Sequence, residues 1–89
     1  MGLKKYKFKA KIEPAGVGGS FVFFPYDTQT EFGTRGKVPI KATMDGIPYT
    51  GSLMKYGFPL HTLHVPKAIR EQASKGLGEI LDVVVWKDG

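Results

Sequence analysis

The chain has 89 residues, a formal net charge of +5 and no cysteine. This length allows one domain, residues 1–89, with a modest core, because folding hides only roughly 60% of the unfolded surface of so short a chain. The lack of cysteine excludes a disulfide framework, a thiol nucleophile and a thiolate-held metal. No apolar run approaches the roughly 18 residues that cross a bilayer, and the first residues lack the apolar core of a signal peptide. We therefore expect a cytoplasmic globular protein that does not associate with membranes.

The positive charge is concentrated at the start of the chain. Residues 1–11 carry five lysines and no acidic residue, whereas residues 12–89 carry eight basic and eight acidic residues. Apolar and polar residues alternate from Tyr6 to Glu13, which predicts a strand with one wet face. Four lysines would share that face: Lys5, Lys7, Lys9 and Lys11. Such a row either binds the phosphates of a nucleic acid or keeps the strand soluble and protects it against edge-to-edge aggregation.

A glycine-rich turn and two short elements follow. The turn lacks the lysine and the following helix of a phosphate-binding loop, so it is interpreted as an ordinary turn. Phe21–Phe24 is apolar on both faces and predicts a central or covered strand. The stretch Tyr26–Phe32 predicts one helical turn, with Asp27 or Thr28 as its cap.

The pair Asp45-Gly46 lies between two alternating runs and predicts a two-residue type I′ hairpin turn. This turn sets a register in which an apolar set faces an apolar set. The predicted pairs are Met44 with Ile47, Ala42 with Tyr49, Ile40 with Gly51, and Val38 with Leu53. Pro39 and Pro48, on the other face, each predict a free strand edge or a bulge.

A short helix is predicted over Pro66–Lys75. Proline suits the first position of a helix, and Ile69 and Ala73, four residues apart, are predicted to face inward. The spacing of Glu71 and Lys75 favours an ion pair on the helix surface. Gly76 is expected to end the helix, with Leu77 folding back as an apolar contact.

Two further strands, Leu60–Val65 and Ile80–Trp86, flank this helix. Together the elements predict a mainly β protein of about six strands and one short α-helix. Such a composition is typical of a small barrel or pseudobarrel.

Few residues are candidates for chemistry. His61 and His64 have a spacing that would suit a metal on a helix, but on a strand they point to opposite faces, and no third ligand accompanies them. We therefore expect no metal and no cofactor, and interpret His61 mainly as a packed, hydrogen-bonded histidine. An enzyme is disfavoured because no nucleophile has an identifiable base; one version would need His61 to reach Asp27 or Glu31. The polar residues that remain as candidate ligand-binding groups are Arg35, Ser52, His61 and Arg70.

The aromatic residues are numerous and are expected mainly in the core. Tyr6 and Phe8 alternate with lysines, which places aromatic and cationic groups on opposite faces of the first strand. This separation disfavours a platform that stacks bases while binding phosphates.

Several motifs, in this order, resemble those of the DUF1905 family of small prokaryotic domains. They are residues 8–12 (Phe-Lys-Ala-Lys-Ile), Phe24-Pro25, residues 33–38 (Gly-Thr-Arg-Gly-Lys-Val), residues 45–53 (Asp-Gly-Ile-Pro-Tyr-Thr-Gly-Ser-Leu), His61, residues 67–70 (Lys-Ala-Ile-Arg) and Gly78-Glu79. The resemblance implies a double-split β-barrel, similar in architecture to the swapped-hairpin domains of AbrB-like regulators and MazE-like antitoxins. It implies no activity, and a fold alone does not define a function.

Two functions remain open. The leading hypothesis is a non-catalytic binding module for a small anionic ligand or a protein partner, acting through Arg35, Ser52, His61 and Arg70. The alternative is a DNA-binding module, similar to a transcription regulator, that uses the lysines of the first strand. Both a monomer and a homodimer are compatible with the sequence.

Overall fold

The computed structural model describes residues 4–16, 19–33, 36–55 and 60–88, which contain seven strands and two short helices. In chain order they are β1 (Tyr6–Lys11), β2 (Glu13–Pro14), β3 (Ser20–Phe23), α1 (Thr28–Phe32), β4 (Val38–Met44), β5 (Ile47–Met54), β6 (Thr62–His64), α2 (Lys67–Ala73) and β7 (Ile80–Lys87). All strand pairs are antiparallel and form one sheet in the order β1-β7-β4-β5-β6-β3-β2. The predicted mainly β barrel is confirmed, with seven strands among the described residues where about six were predicted. The helical turn predicted within Tyr26–Phe32 forms α1, beside the predicted short helix α2.

The sheet is nearly closed into a barrel by the N-terminal segment of the chain. β1 pairs with β7 at one end of the sheet, and β2 pairs with β3 at the other. The two strands are separated only by Ile12, which is fully buried. Its N–H donates to the carbonyl of Glu79 (2.9 Å), and its carbonyl accepts from the N–H of Gly78 (2.8 Å). The single strand predicted from Tyr6 to Glu13 is therefore divided at Ile12, where the chain passes from one end of the sheet to the other.

The predicted hairpin is confirmed with its register. Asp45 and Gly46 have φ angles of 51° and 82°, as a type I′ turn requires, and all four predicted apolar pairs are present between β4 and β5. Pro48 lies where β5 has a free edge among the described residues, since β5 pairs with β6 only through Leu53 and Met54. Pro39 lies one residue before the ladder of β4 with β7 begins. Both prolines thus occupy positions that do not interrupt a ladder.

Alternate residues of the strands fill the barrel. Fourteen of the fifteen buried hydrophobic residues in the described part of the chain come from the strands or the residues next to them. An aromatic group closes one end of the barrel through edge contacts of Tyr6 with Phe24 and Phe32. The hydroxyl of Tyr6 donates to Oε1 of Glu31 (2.9 Å), which ties β1 to α1. The opposite faces of β1, β7 and β4 face solvent, with exposed lysines on β1 and β4 and with Val84 and Trp86 of β7 half-buried.

Helix α2 covers part of the barrel but ends earlier than predicted. Ile69 is buried beneath it, as expected, and Ala73 packs against the core. Ser74, with a φ of 55°, takes the left-handed position at the end of the helix that was predicted for Gly76. Leu77 is 52% exposed, so it does not fold back onto the helix.

Lys75 leaves the helix to bind the β4–β5 hairpin. Its ammonium lies 2.7 Å from Oδ2 of Asp45 and donates to the carbonyl of Ile80 (2.6 Å). The ion pair predicted with Glu71 is therefore wrong. The helix has already ended at Ser74, so the i,i+4 geometry on which that prediction rested is not available.

Candidate functional site

The predicted ligand-binding residues do not line one common cleft in the described part of the chain. Arg35 lies outside the described residues. Ser52 lines a cleft of about 490 Å³ on the outer side of β3, β5 and β6, whereas His61 lines a separate cleft of about 290 Å³ beside α1. Arg70 is half-buried on α2.

His61 is packed and hydrogen-bonded. Only 4% of it is exposed; its Nε2 lies 2.9 Å from the carbonyl of Gly36, and its Nδ1 lies 3.2 Å from Oγ1 of Thr28. Since a carbonyl only accepts, Nε2 donates to Gly36, while Nδ1 is hydrogen-bonded to the threonine hydroxyl. His64 is exposed, so the two histidines point to opposite faces as predicted.

The carboxylates considered as partners of His61 bind other groups. Asp27 caps α1 through the N–H of Gln29 (3.1 Å) and the hydroxyl of Thr30 (2.9 Å). Glu31 accepts from Tyr6 and from the ammonium of Lys4 (3.0 Å), and these hydrogen bonds lower the pKa of Glu31 below its ordinary value. Each carboxylate therefore has a structural role that holds α1 in place.

The smaller cleft has mixed polarity. Its lining combines apolar and polar side chains: Pro25, Tyr26, Asp27, Thr28, Lys55, Leu60 and His61. Lys55 supplies a cation for an anionic ligand, but the carboxylate of Asp27 lines the same cleft and reduces this attraction. The cleft can therefore hold a small polar molecule with one anionic group.

The larger cleft is mainly apolar. It is lined by Pro14, Ala15, Ser20, Phe21, Ser52, Met54, Thr62 and His64. Two of its hydroxyls are already bound, because Ser20 donates to the carbonyl of Val65 (2.8 Å) and Thr62 to that of Met54 (2.9 Å). No lysine or arginine belongs to the described lining, so this cleft suits an apolar ligand better than an anionic one.

The open side of the sheet carries a continuous basic surface. Lys7 and Lys9 of β1 are exposed and lie opposite Val84 and Asp82 of β7. On the far side of β7, Lys41 of β4 lies opposite Trp86. We call this surface the basic face, and it consists of Lys5, Lys7, Lys9, Lys11, Lys41, Asp82, Val84 and Trp86.

Trp86 lies within the basic face, between lysines of two strands. Nζ of Lys5 is 4.8 Å from the centre of its indole ring, and Lys41 is its partner on β4. The prediction that the lysines of β1 lie on the face opposite Tyr6 and Phe8 agrees with the burial pattern of β1. The assembled sheet nevertheless brings an aromatic ring onto the lysine face. The aromatic ring is contributed by β7, a strand that the alternation within β1 says nothing about.

Four lysines of the basic face have no carboxylate partner among the described residues. Asp82 pairs with Lys9 (2.7 Å), and this hydrogen bond raises the pKa of Lys9 above its ordinary value. The pair is exposed and compensates one positive charge. The lysines without such a partner are Lys5, Lys7, Lys11 and Lys41. The basic face therefore keeps a net charge of about +4 at neutral pH.

The described residues contain no group of three histidine, aspartate or glutamate side chains placed to hold a metal ion. Neither of their two helices has the length and apolar composition that crossing a membrane demands.

Comparison with known proteins identifies the family but no activity. No curated protein matches the chain. The family model described as "Domain of unknown function (DUF1905)" matches residues 8–85, nearly the whole chain of 89 residues. The match extends from β1 to the C-terminal half of β7 and so includes every strand of the barrel. The chain therefore belongs to the DUF1905 family.

Proposed function

We propose that this protein is a binding module that holds nucleic acid on its basic face. The observation that carries the proposal is the position of the lysines. The excess positive charge of the sequence lies on β1 and the residues just before it. The fold adds Lys41 to the same open surface and pairs Asp82 with Lys9. This function was the alternative hypothesis from the sequence, and it gains more support from the geometry than the small-ligand hypothesis does.

The spacing of the lysines suits a chain of phosphates. Side chains on one face of a strand repeat every ~6.8 Å, and neighbouring strands are ~4.8 Å apart. Lys7 and Lys11 thus continue a row along β1, while Lys41 lies on a parallel line two strands away. An extended polyanion can contact several of these ammonium groups at once, and each contact releases counterions.

The exposure of these lysines also favours this function. Lys5, Lys7, Lys11 and Lys41 are all exposed, so they can approach phosphates without losing a buried contact. Their ammonium groups are strongly hydrated point charges on flexible stems, which suits binding that depends on charge more than on sequence.

The test compares two charge-matched double variants in binding to labelled DNA, followed by fluorescence anisotropy. K7Q/K11Q removes two positive charges from the basic face, and K55Q/K67Q removes two from elsewhere on the surface. We expect the first variant to weaken binding about 10-fold or more at low salt and the second to change it less than about 3-fold. Equal effects would show that net charge alone matters and would contradict the proposal.

A second candidate function is the binding of a small anionic molecule in the cleft at His61. It is favoured by one observation: Lys55 lines this cleft beside the hydroxyl of Thr28. A thermal-shift screen of small carboxylates and phosphates tests it. A stabilising compound should lose its effect in K55Q, and the same shift in both proteins would place the compound elsewhere.

A further inference from the structure

We propose that the basic face binds single-stranded nucleic acid in preference to duplex, with Trp86 as the ring on which a base stacks. This inference rests on the proposed function, since it assumes that phosphates bind the lysines around the ring. It adds the class of nucleic acid and one residue, Trp86, to the proposed function.

The first support is the orientation of the indole. Nζ of Lys5 lies 4.8 Å from the ring centre, in the position of a cation above an aromatic face. The ring therefore presents its face, and not only its edge, to a group at the protein surface. Lys5 is exposed, so its side chain can leave this position without disturbing the core.

The second support is the balance between the two groups that compete for the ring. A cation above an aromatic ring at an exposed site contributes a factor of about 2 to 5. A base stacked on an aromatic ring contributes a factor of about 5 to 150. A base can thus replace the ammonium of Lys5, which then becomes available to bind an adjacent phosphate.

The third support is the arrangement of charge around Trp86. Lys5 lies on one side of the ring and Lys41 on the other, and the two strands that carry them are about 10 Å apart. A single strand that crosses the sheet could place one base on Trp86 and its flanking phosphates near these two lysines. Aromatic rings set among cations on an open sheet are typical of surfaces that bind single strands.

A duplex cannot use the ring in this way. Its bases are stacked against one another inside the helix, and its backbone is the part that meets a broad surface. The described part of the basic face consists of strands, and no helix projects from it to enter a groove. Duplex DNA would therefore contact the lysines alone.

The experiment uses the full chain and three probes: a 15-nucleotide oligo-dT, a 15-base-pair duplex of mixed sequence, and heparin as a polyanion without bases. Binding is followed at low salt by anisotropy for the two nucleic acids and by competition for heparin. Trp86 is the single tryptophan of the chain, so its intrinsic fluorescence reports directly on stacking in the unmodified protein. The variants are W86A, W86F as the conservative replacement, and F23A as a control that removes a half-buried aromatic side chain from another face.

We expect oligo-dT to bind about 5-fold or more tightly than the duplex and to quench Trp86 fluorescence. W86A should weaken oligo-dT binding about 5- to 150-fold, which is a larger factor than its effect on duplex or heparin binding. W86F should keep part of the affinity for oligo-dT, and F23A should behave like the unmodified protein. The inference would be overturned if oligo-dT did not quench Trp86 fluorescence and bound no more tightly than the duplex or than heparin. That result would leave the proposed function intact. Failure of K7Q/K11Q to weaken oligo-dT binding would instead overturn the proposed function.

Discussion

Asp45 joins three parts of the fold, and its replacement offers a quantitative test of the structure. Its backbone takes the left-handed conformation at the β4–β5 turn, and its N–H donates to the carbonyl of Asp82 (2.8 Å). Its Oδ1 accepts from the N–H of Asp82 (2.8 Å), while Oδ2 lies 2.7 Å from the ammonium of Lys75. One side chain therefore links the hairpin, the start of β7 and the segment after α2.

Two replacements separate these contributions. D45N keeps an oxygen for the N–H of Asp82 and a side chain that tolerates the left-handed region, but it loses the ion pair. The pair is partly exposed, at 17% for Asp45 and 29% for Lys75, so we expect D45N to lower the free energy of unfolding by about 1 kcal/mol. D45A also loses the hydrogen bond, at about 1 kcal/mol, and adds about 1 kcal/mol of backbone strain, so it should cost about 3 kcal/mol.

The pH dependence gives this prediction a direction. The hydrogen bond from Lys75 is the largest of the influences that hold the pKa of Asp45 below its ordinary value. A carboxyl group with a lowered pKa stabilises the fold above its unfolded pKa, and this contribution disappears as the pH falls through the folded value. The difference in the free energy of unfolding between the unmodified protein and D45N should therefore have its full size at pH 7. It should shrink as the pH falls below about 4 and disappear at still lower pH.

Urea unfolding followed by Trp86 fluorescence at several pH values measures these differences, with D88N as a matched control at an exposed aspartate. D88N should follow the unmodified protein at every pH. The reasoning would be refuted if D45N were as stable as the unmodified protein at pH 7, or if the difference between them did not change with pH.

Three further replacements test the packing. G51A should lower the free energy of unfolding by about 1 to 3 kcal/mol, because a Cβ at Gly51 would lie 2.6 Å from Cζ of Tyr49. The loss should be smaller when G51A is made in a Y49A background, and additive effects of the two replacements would contradict the clash. H61A should cost about 2 kcal/mol or more by leaving buried polar partners unsatisfied, as measured by urea unfolding, and a loss below about 0.5 kcal/mol would show that the packing of His61 contributes little. S20A should cost about 1 kcal/mol by removing a buried donor to the carbonyl of Val65, whereas unchanged thermal unfolding would mean that this bond is not formed in solution.

The sequence predicted the parts of the fold that depend on local rules. The β4–β5 register followed from Asp45-Gly46, because a two-residue turn makes the residues on either side of it partners and so fixes every later pair. The start of α1 followed from Asp27, whose side chain accepts from a backbone N–H of the first turn. The buried face of α2 followed from the position of Ile69.

The features that were missed depend on contacts between distant segments. Alternation indicates which residues of β1 share a face, but the neighbour of β1 is β7, more than 60 residues later in the chain. The position of Trp86 among the lysines could therefore not be read from either segment alone. The same holds for Lys75, whose partner Asp45 is 30 residues away, and for the break at Ile12, which the closure of the barrel requires.

The available sequence signal for the site was the pattern of the last strand. Alternate residues of β7 share one face, and Asp82, Val84 and Trp86 lie on the same one. The residues of the other face are buried: Leu81, Val83 and Val85. An aspartate at the start of such a row predicts that the row faces solvent. A tryptophan on a solvent-facing row then indicates a binding surface.

The central claim is that the lysines of the basic face bind phosphates, and the salt dependence of binding to oligo-dT tests it most directly. Four lysines have no carboxylate partner within the described part of the chain: Lys5, Lys7, Lys11 and Lys41. The slope of log Kobs against log salt should therefore be about −2.8 for a single strand. Affinity should then fall about 50-fold between about 50 mM and about 200 mM salt. In K7Q/K11Q the slope should be about −1.4. A slope near zero, or the same slope in both proteins, would contradict the account.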